Sequence, residues 1–212
     1  GYDHLMPEGF ESTQYTEGGW VVRMMPDGSN PELFAADLRN SYDLAFNKEG
    51  DLFTFDSDME YDLGAPWYRP TRICHLLSGS EFGWRGGAGK WPEYYEDSVM
   101  PVVNIGPASP TGVIFGYDTH FPGKYKEAFY ALDWTFATVY AVHLKPKGAS
   151  YSGEVEVFAS GTGLPLTDVT IGQDGALYLS VGGRRLGSAI YRIYYDGPAG
   201  VYTNDLDRED GQ

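Results

Sequence analysis

The chain has little cysteine, few basic residues and no long apolar run, and each shortage excludes a class of protein. Cys74 is the only cysteine among 212 residues, which rules out an internal disulfide and a metal site built from cysteines. No stretch approaches the roughly 18 to 20 apolar residues of a membrane-spanning helix, so we expect no membrane span. Fifteen Lys and Arg stand against thirty Asp and Glu, for a net charge of −15. We therefore expect no nucleic-acid partner, because phosphate binding needs clustered cations.

The residues that are abundant are those of β-sheets and tight turns. Aromatic side chains make up 16% of the chain, which also contains 28 glycines and 13 prolines. This composition indicates an all-β protein with many turns. The acidic balance suits a soluble or secreted protein, or one that binds cations. The chain does not begin with Met and shows no signal peptide, so we expect it to be a mature or excised piece.

One pattern occurs twice, about 124 residues apart (Glu32 against Glu156), as three short apolar segments separated by turn residues. The two copies occupy residues 21–28, 32–35 and 43–53, and residues 139–148, 156–159 and 168–178. Turns such as Pro26-Asp27-Gly28 lie between β-branched and aromatic residues, which is typical of hairpins. A repeated strand–turn–strand unit is typical of a β-propeller.

We predict an all-β fold, a β-propeller of four-stranded antiparallel blades, with about three to four blades of a six-bladed ring in this chain. The predicted strands are 20–25, 32–36, 42–46, 51–55, 71–77, 138–144, 154–159, 167–171 and 176–180. Residues 59–110 are expected to be a long inserted loop around the strand at 71–77. The predicted domains are an irregular lead-in over 1–18, a partial propeller over 19–198 and an acidic tail over 199–212. An open arc leaves a blade face uncovered, so the remaining blades or another chain are expected partners.

Several motifs resemble those of the glucose/sorbosone dehydrogenases, the soluble quinoprotein sugar dehydrogenases with six-bladed propellers. The motifs are Leu38-Arg39-Asn40, Glu81-Phe82-Gly83-Trp84, Ser109-Pro110-Thr111-Gly112 and Asp168-Val169 ahead of Asp174-Gly175. Pro66-Trp67-Tyr68-Arg69-Pro70 and Gly148-Ala149-Ser150-Tyr151 resemble more closely a bacterial subgroup of membrane-bound dehydrogenase domains, often fused to helical repeats and a c-type cytochrome. The resemblance covers roughly residues 19 to 197 and implies the C-terminal half or so of the propeller.

The resemblance implies an activity, two cofactors and a location. A protein of this kind oxidises a sugar or small alcohol through pyrroloquinoline quinone (PQQ), which is held against Ca²⁺. It passes electrons to a c-type cytochrome or another acceptor, in the periplasm or outside the cell. The family's catalytic histidine falls in a blade outside this chain, so no catalytic residue is assigned here.

Arg39 and Asn40 match the pair that contacts the quinone in the resembled family. A guanidinium offers a planar fork to a carboxylate, and PQQ is a planar tricarboxylate. The structural alternative is that Arg39 pairs with a nearby carboxylate and Asn40 caps a turn. Trp84 is a second cofactor-binding candidate, as an aromatic platform for a sugar or quinone, and its alternative is to fill the central channel.

Asp56, Asp58 and Glu60 form an acidic cluster directly after a predicted strand. Ca²⁺ prefers six to eight oxygen ligands, and in the resembled family a loop at this position holds Ca²⁺ largely through backbone oxygens. We therefore predict that these three residues bind a divalent cation by side chain or carbonyl. The alternative is a solvated acidic turn.

One departure from the sequence pattern of the resembled family argues against an enzymatic function. The soluble sugar dehydrogenases carry two arginines just before the Asp-Val of the last repeat, and Pro165 and Thr167 stand there in this chain. Neither side chain binds a carboxylate as arginine does. Arg184 and Arg185 lie further along and are the candidate substitutes, with Arg184 taken as the cofactor-binding residue. The alternative function is a non-catalytic propeller that has lost the cofactor and binds a glycan or a protein partner.

Overall fold

The structure is a computed structural model, and it describes most of the chain between residues 18 and 197. The described residues are 18–59, 68–85, 89–90, 93–96, 98–183 and 185–197. In chain order their strands are β1 (Gly19–Arg23), β2 (Glu32–Leu38), β3 (Leu44–Phe46), β4 (Leu52–Asp56), β5 (Thr71–Leu76), β6 (Ser80–Glu81), β7 (Trp84–Arg85), β8 (Gly89–Lys90), β9 (Val103–Gly106), β10 (Pro110–Phe115), β11 (Phe129–Asp133), β12 (Thr138–Lys147), β13 (Ser150–Ser160), β14 (Leu166–Ile171), β15 (Leu177–Val181) and β16 (Ala189–Ile193). A short helix, α1 (Gly123–Lys126), precedes β11.

Four sheets follow one another along the chain. The first contains β1 and β2, with β6 added in parallel beside β2. The second has the order β3-β4-β5-β9 and the third the order β10-β11-β12-β13, and both are fully antiparallel. The fourth has the order β14-β15-β16, and β7 and β8 form a separate two-stranded ribbon. Two complete four-stranded blades between two partial ones are part of a β-propeller, which confirms the predicted fold class.

The predicted strands are found within a few residues of their expected positions, but their grouping differs from the prediction. Each sequence repeat straddles two sheets, since β1 and β2 close one blade while β3 and β4 open the next. The segment 59–110 is more than a loop with one strand, because β5 and β9 complete the second blade there. The β9 strand has only four residues, too few for its alternation of side chains to be recognised in the sequence.

Hydrophobic contacts between neighbouring sheets form the core. Along β4, Phe53 and Phe55 point towards the third sheet, whereas Leu52 points towards the first. Along β11, Phe129 packs against the second sheet and Tyr130 against the fourth. Successive side chains of a strand point to opposite faces, so an inner strand covered on both faces buries all of them, which in β4 includes Thr54 and Asp56. Each large side chain buried in this way contributes about 1.5–3 kcal/mol.

The alternation of strand directions places six connections at the same end of the blades, called here the upper end. These are the connections that follow β2, β4, β9, β11, β13 and β15. Two contacts between blades show that β3, β10 and β14 all begin there. The backbone N–H of Val113 donates to Asp43 at 2.9 Å, and the Thr111 hydroxyl donates to the carbonyl of Leu166 at 2.9 Å. Arg39, Asn40, Asp56 and Asp58 of the predicted site all lie at this end.

Candidate functional site at the upper end

Asp56, the last residue of β4, holds the turn that contains the predicted cofactor pair. Its side chain is fully buried, and one carboxylate oxygen accepts the backbone N–H groups of Arg39 at 2.9 Å and Asn40 at 3.1 Å. The other oxygen lies 3.4 Å from Nη2 of Arg72, which is itself buried. The Asp56 carboxylate therefore neutralises a buried guanidinium and fixes the backbone of the 39–41 turn.

Arg72 extends this network towards Trp84. Its Nη2 atom donates to the carbonyl of Phe82 at 2.5 Å, and its guanidinium lies 5.8 Å from the centre of the Phe82 ring. The backbone N–H of Phe82 in turn donates to the carbonyl of Ala36 on β2, at 3.0 Å. Because this segment runs parallel to β2, it carries Trp84 towards the end of β2, where Arg39 and Asn40 follow. The fold thus brings three of the predicted cofactor residues to the same region.

Arg39 and Asn40 line a cavity of about 430 Å³ between the first and second blades. Trp20 and Tyr42 contribute aromatic rings to the same cavity. The volume lies within the roughly 300–1,000 Å³ that is usual for small-molecule sites. The Arg39 guanidinium and the Asn40 amide suit a carboxylate at one edge of the predicted quinone. Ser41 and Asp43 also line the cavity, and the Asp43 carboxylate accepts the backbone N–H groups of Leu44 and Val113.

The predicted cation ligands are not gathered into a ligand set by the part of the chain that the structure describes. Within it, no three Asp, Glu, His or Cys side chains lie close enough together to hold a metal ion. The Asp56 side chain is a poor cation ligand here because Arg72 already occupies one of its oxygens. Asp58 is half-buried in the connection after β4, and Glu60 lies outside the described residues. A cation at this position would rely on Asp58, Glu60 and backbone oxygens rather than on the Asp56 carboxylate.

The third blade contains a second aspartate clamp, by which we mean a buried carboxylate at the end of a strand that accepts backbone N–H groups of a turn, as Asp56 does. Asp133 ends β11 as Asp56 ends β4, and its buried carboxylate accepts the backbone N–H groups of Ser109 at 2.8 Å and Thr135 at 2.9 Å. Burial raises the pKa of the Asp133 carboxyl, and the negative charge of Asp58 raises it further. Asp56 and Asp133 occupy equivalent positions, each as the last residue of the second strand of its blade. This equivalence in the sequence indicates a structural role for both carboxylates.

The fourth blade departs from this arrangement. Val181 ends β15, and the next backbone N–H, that of Gly182, donates to the carbonyl of Pro165 at 3.0 Å. The carbonyl of Gly182 accepts a hydrogen bond from Nε1 of Trp134, also at 3.0 Å. The Trp134 ring therefore bridges the third and fourth blades at the upper end, a role that the sequence did not reveal.

The positions where the resembled family has arginines carry no cation in this structure. Pro165 contributes an apolar wall to the upper end, and the Thr167 hydroxyl is bonded to the Ser180 hydroxyl at 2.8 Å. Arg184, the predicted substitute, lies outside the described residues. Arg185, the next residue in the same connection, is described and exposed, so a cation of the fourth blade lies in the connection after β15 rather than at positions 165 and 167.

Comparison with solved structures identifies the fold. A glucose dehydrogenase-type oxidoreductase from Thermus thermophilus superposes with a TM-score of 0.60 at 20% identity, over 78% of this chain and 48% of that one. The PQQ-bound aldose sugar dehydrogenase of Streptomyces coelicolor gives 0.59 at 18% identity, over 84% and 52%. The soluble aldose sugar dehydrogenase of Escherichia coli in its apo form gives 0.56 at 18% identity, over 76% and 46%. No protein-family model matches the chain, and no curated protein is significantly similar in sequence.

The chain therefore has the fold of the glucose and aldose sugar dehydrogenases, and it spans about half the length of these solved structures. Identities of 20% or less establish the architecture alone. Among the described residues, the only helix has four residues, so no helix here is long and apolar enough to cross a membrane.

Proposed function

We propose that this chain is part of the propeller of a PQQ-dependent dehydrogenase that oxidises a sugar or related small alcohol and passes the electrons to a c-type cytochrome or another acceptor. The observation that carries the proposal is the Arg39–Asn40 turn, which Asp56 holds at the edge of a cavity of suitable size. The fold shared with sugar dehydrogenases supports it. A periplasmic or extracellular location accompanies this function.

In the proposed site, the residues of this chain bind and orient the quinone. Arg39 forms a charge-assisted contact with one carboxylate of the quinone, and Asn40 supplies a neutral donor and acceptor beside it. The Asp56 carboxylate keeps the turn in place without rearrangement when the ligand arrives. Bound PQQ would supply the two-electron acceptor for the alcohol. The base that removes the hydroxyl proton belongs to blades outside this chain.

The proposed Ca²⁺ has weaker support than the quinone. The Arg72 guanidinium beside Asp56 argues against that carboxylate as a ligand, which leaves Asp58, Glu60 and backbone oxygens. A cation that binds only the folded state at one hundred times its Kd would stabilise the protein by about 2.7 kcal/mol. Thermal unfolding of metal-stripped protein with and without millimolar Ca²⁺ measures this, and an unchanged Tm would remove Ca²⁺ from the proposal.

A second function is a non-catalytic propeller that binds a glycan or a protein partner. Pro165 and Thr167 favour it, because they take away the two cations that the resembled family directs at the quinone. The described residues of the fourth blade offer an apolar surface instead. The two functions differ in whether PQQ binds.

Calorimetric titration of the full-length protein with PQQ, with and without Ca²⁺, separates the two functions. A charge-assisted contact contributes about 1.5–3 kcal/mol, so Arg39→Ala should weaken PQQ binding roughly ten- to a hundredfold. The matched control is Arg23→Ala, since Arg23 forms an exposed ion pair with Glu32 on the neighbouring strand and should leave the affinity unchanged.

The stability of the cofactor-free variants completes the test. If Arg39 has only a structural role, Arg39→Ala lowers the free energy of unfolding and leaves PQQ affinity as it was. Absence of PQQ binding by the wild-type protein would end the cofactor assignment and leave the binding module as the function.

A further inference from the structure

A second pocket lies at the upper end, between the third and fourth blades. It has a volume of about 270 Å³ and lies among the connections that follow β11, β13 and β15. Trp134, Leu164, Pro165 and Leu186 form its apolar walls. Its size is just below the roughly 300–1,000 Å³ range of drug-sized sites, which limits the occupant to a single small ring.

Trp134 presents a fixed aromatic surface to this pocket. The residue is 38% exposed, and the Nε1 atom of its indole donates to the carbonyl of Gly182 at 3.0 Å. Its backbone N–H donates to the carbonyl of Ser109 at 3.0 Å. A Cβ atom at Gly183 would lie 3.2 Å from Cζ2 of the indole, so glycine there leaves room for the ring. A large aromatic surface held in one orientation binds a ligand without first losing rotamer entropy.

The chemistry of the pocket is neutral as far as the structure describes it. None of its described lining side chains carries a charge. Thr135 lines the pocket, and its hydroxyl lies 2.6 Å from that of the half-buried Ser109, so two groups able to donate and accept hydrogen bonds meet beside it. An apolar floor with hydroxyls at the edge fits a ring that has an apolar face and hydroxyl groups around it.

We propose that the Trp134 pocket binds the ring of a neutral pyranose, with the C–H face of the sugar stacked on the indole. The inference deepens the proposed function, since it relies on a sugar as the ligand of this propeller and assigns a binding surface for it. A neutral sugar is favoured over a carboxylated one, because none of the described side chains that line the pocket is a cation and the neighbouring Arg185 is exposed.

Saturation-transfer NMR on the cofactor-free, full-length protein tests the proposal with D-glucose, D-galactose and D-mannose, and with D-glucuronate as the charged counterpart of D-glucose. We expect transfer to the ring C–H protons of at least one neutral sugar, and weaker transfer to D-glucuronate. Trp134→Ala should weaken the affinity for that sugar at least tenfold, whereas Trp134→Phe should retain most of it. Phe46→Ala is the matched control, since Phe46 is an exposed aromatic residue at the far end of β3.

Two results would overturn the proposal: no contact with any neutral sugar, or equal affinity of wild type and Trp134→Ala. If Trp134→Ala fails to fold, sugar binding by Leu186→Glu is the second test of the pocket. The Leu186 side chain is partly exposed, so the substitution is compatible with the fold and places a charge at the pocket. Unchanged sugar binding by Leu186→Glu would then contradict the assignment.

The outcome is independent of the quinone titration. Sugar binding at Trp134 without PQQ binding would support the sugar-binding pocket and contradict the proposed dehydrogenase function. PQQ binding without sugar contact at Trp134 supports the dehydrogenase and removes this pocket.

Discussion

Replacing Asp56 with alanine should destabilise the protein by about 3–5 kcal/mol, the usual cost of removing one partner from a buried ion pair. The distances indicate which contacts matter most. The backbone N–H groups of Arg39 and Asn40 lie 2.9 and 3.1 Å from the carboxylate, whereas the nearest Arg72 nitrogen lies at 3.4 Å. Charge-assisted N–H···O bonds are strongest near 2.7–2.9 Å, so the two backbone contacts should contribute more than the guanidinium.

Asp56→Asn tests that ranking. The amide oxygen of asparagine can still accept both backbone N–H groups, while the charge that Arg72 faces is lost. If the backbone contacts dominate, Asp56→Asn should cost less than half of what Asp56→Ala costs. If the ion pair dominates, the two variants should be equally unstable. A double-mutant cycle with Arg72→Met, which keeps most of the apolar stem, measures the pair directly, and we expect a coupling of about 0.5–3 kcal/mol.

Urea unfolding followed by tryptophan fluorescence is the assay. The midpoint should fall while the m-value stays constant, since the surface exposed on unfolding is unchanged. Asp118→Ala is the control, because Asp118 is exposed on a turn and its loss should alter stability by no more than about 0.5 kcal/mol. If Asp56→Ala were as stable as Asp118→Ala, the clamp would have no structural role.

Two further predictions concern pH and backbone strain. Burial lowers the pKa of His75, more than the nearby Asp51 carboxylate raises it, so the folded state takes up a proton less readily than the unfolded state. The unfolding free energy should therefore decrease as the pH falls below about 6.5, and His75→Gln should flatten this dependence in urea titrations at pH 7.5 and 5.5. Gly175 has a φ of +68° and a Cβ there would lie 2.4 Å from the His120 ring, so Gly175→Ala should cost about 1–2 kcal/mol for the backbone and more for the overlap. Gly148→Ala, at a φ of +63° with no atom within 4 Å, should show only the backbone cost, and equal losses for the two glycines would refute the overlap.

The positions of the strands could be predicted because they depend on neighbouring residues. The alternation in Leu52–Asp56 and the turn at Asn47–Gly50 are local, and the structure places β4 within one residue of the prediction. The grouping of strands into blades could not be predicted in the same way. The apolar pattern of β2 and β3 is equally compatible with one sheet or two. Only the pairing of β3 with β4, and of β4 with β5, decides between them.

The residues of the candidate site show the same difference between what the sequence predicted and what the fold decided. The resemblance identified Arg39 and Asn40, and the fold brings both to a cavity at the upper end. Asp56 was predicted from its acidic neighbours to bind a cation by its side chain or its carbonyl. In the structure its carboxylate contacts Arg72, sixteen residues further along the chain, so that prediction now rests on the carbonyl. The sequence identifies a carboxylate but not the group that it faces, which can be a cation, a guanidinium or water. Its role therefore depends on the group that the fold places opposite it.

The sequence by itself determined the class of fold, the strands and the turns between them, because side-chain alternation and turn chemistry act over a few residues. Only the tertiary structure decided which strands share a blade, that Asp56 and Asp133 are clamps, and that Trp134 lies exposed between two blades. Each of these depends on groups far apart in the chain, as when the Trp134 indole meets a carbonyl 48 residues away. Contacts of that kind form only when packing of one sheet on the next brings the connections of different blades together.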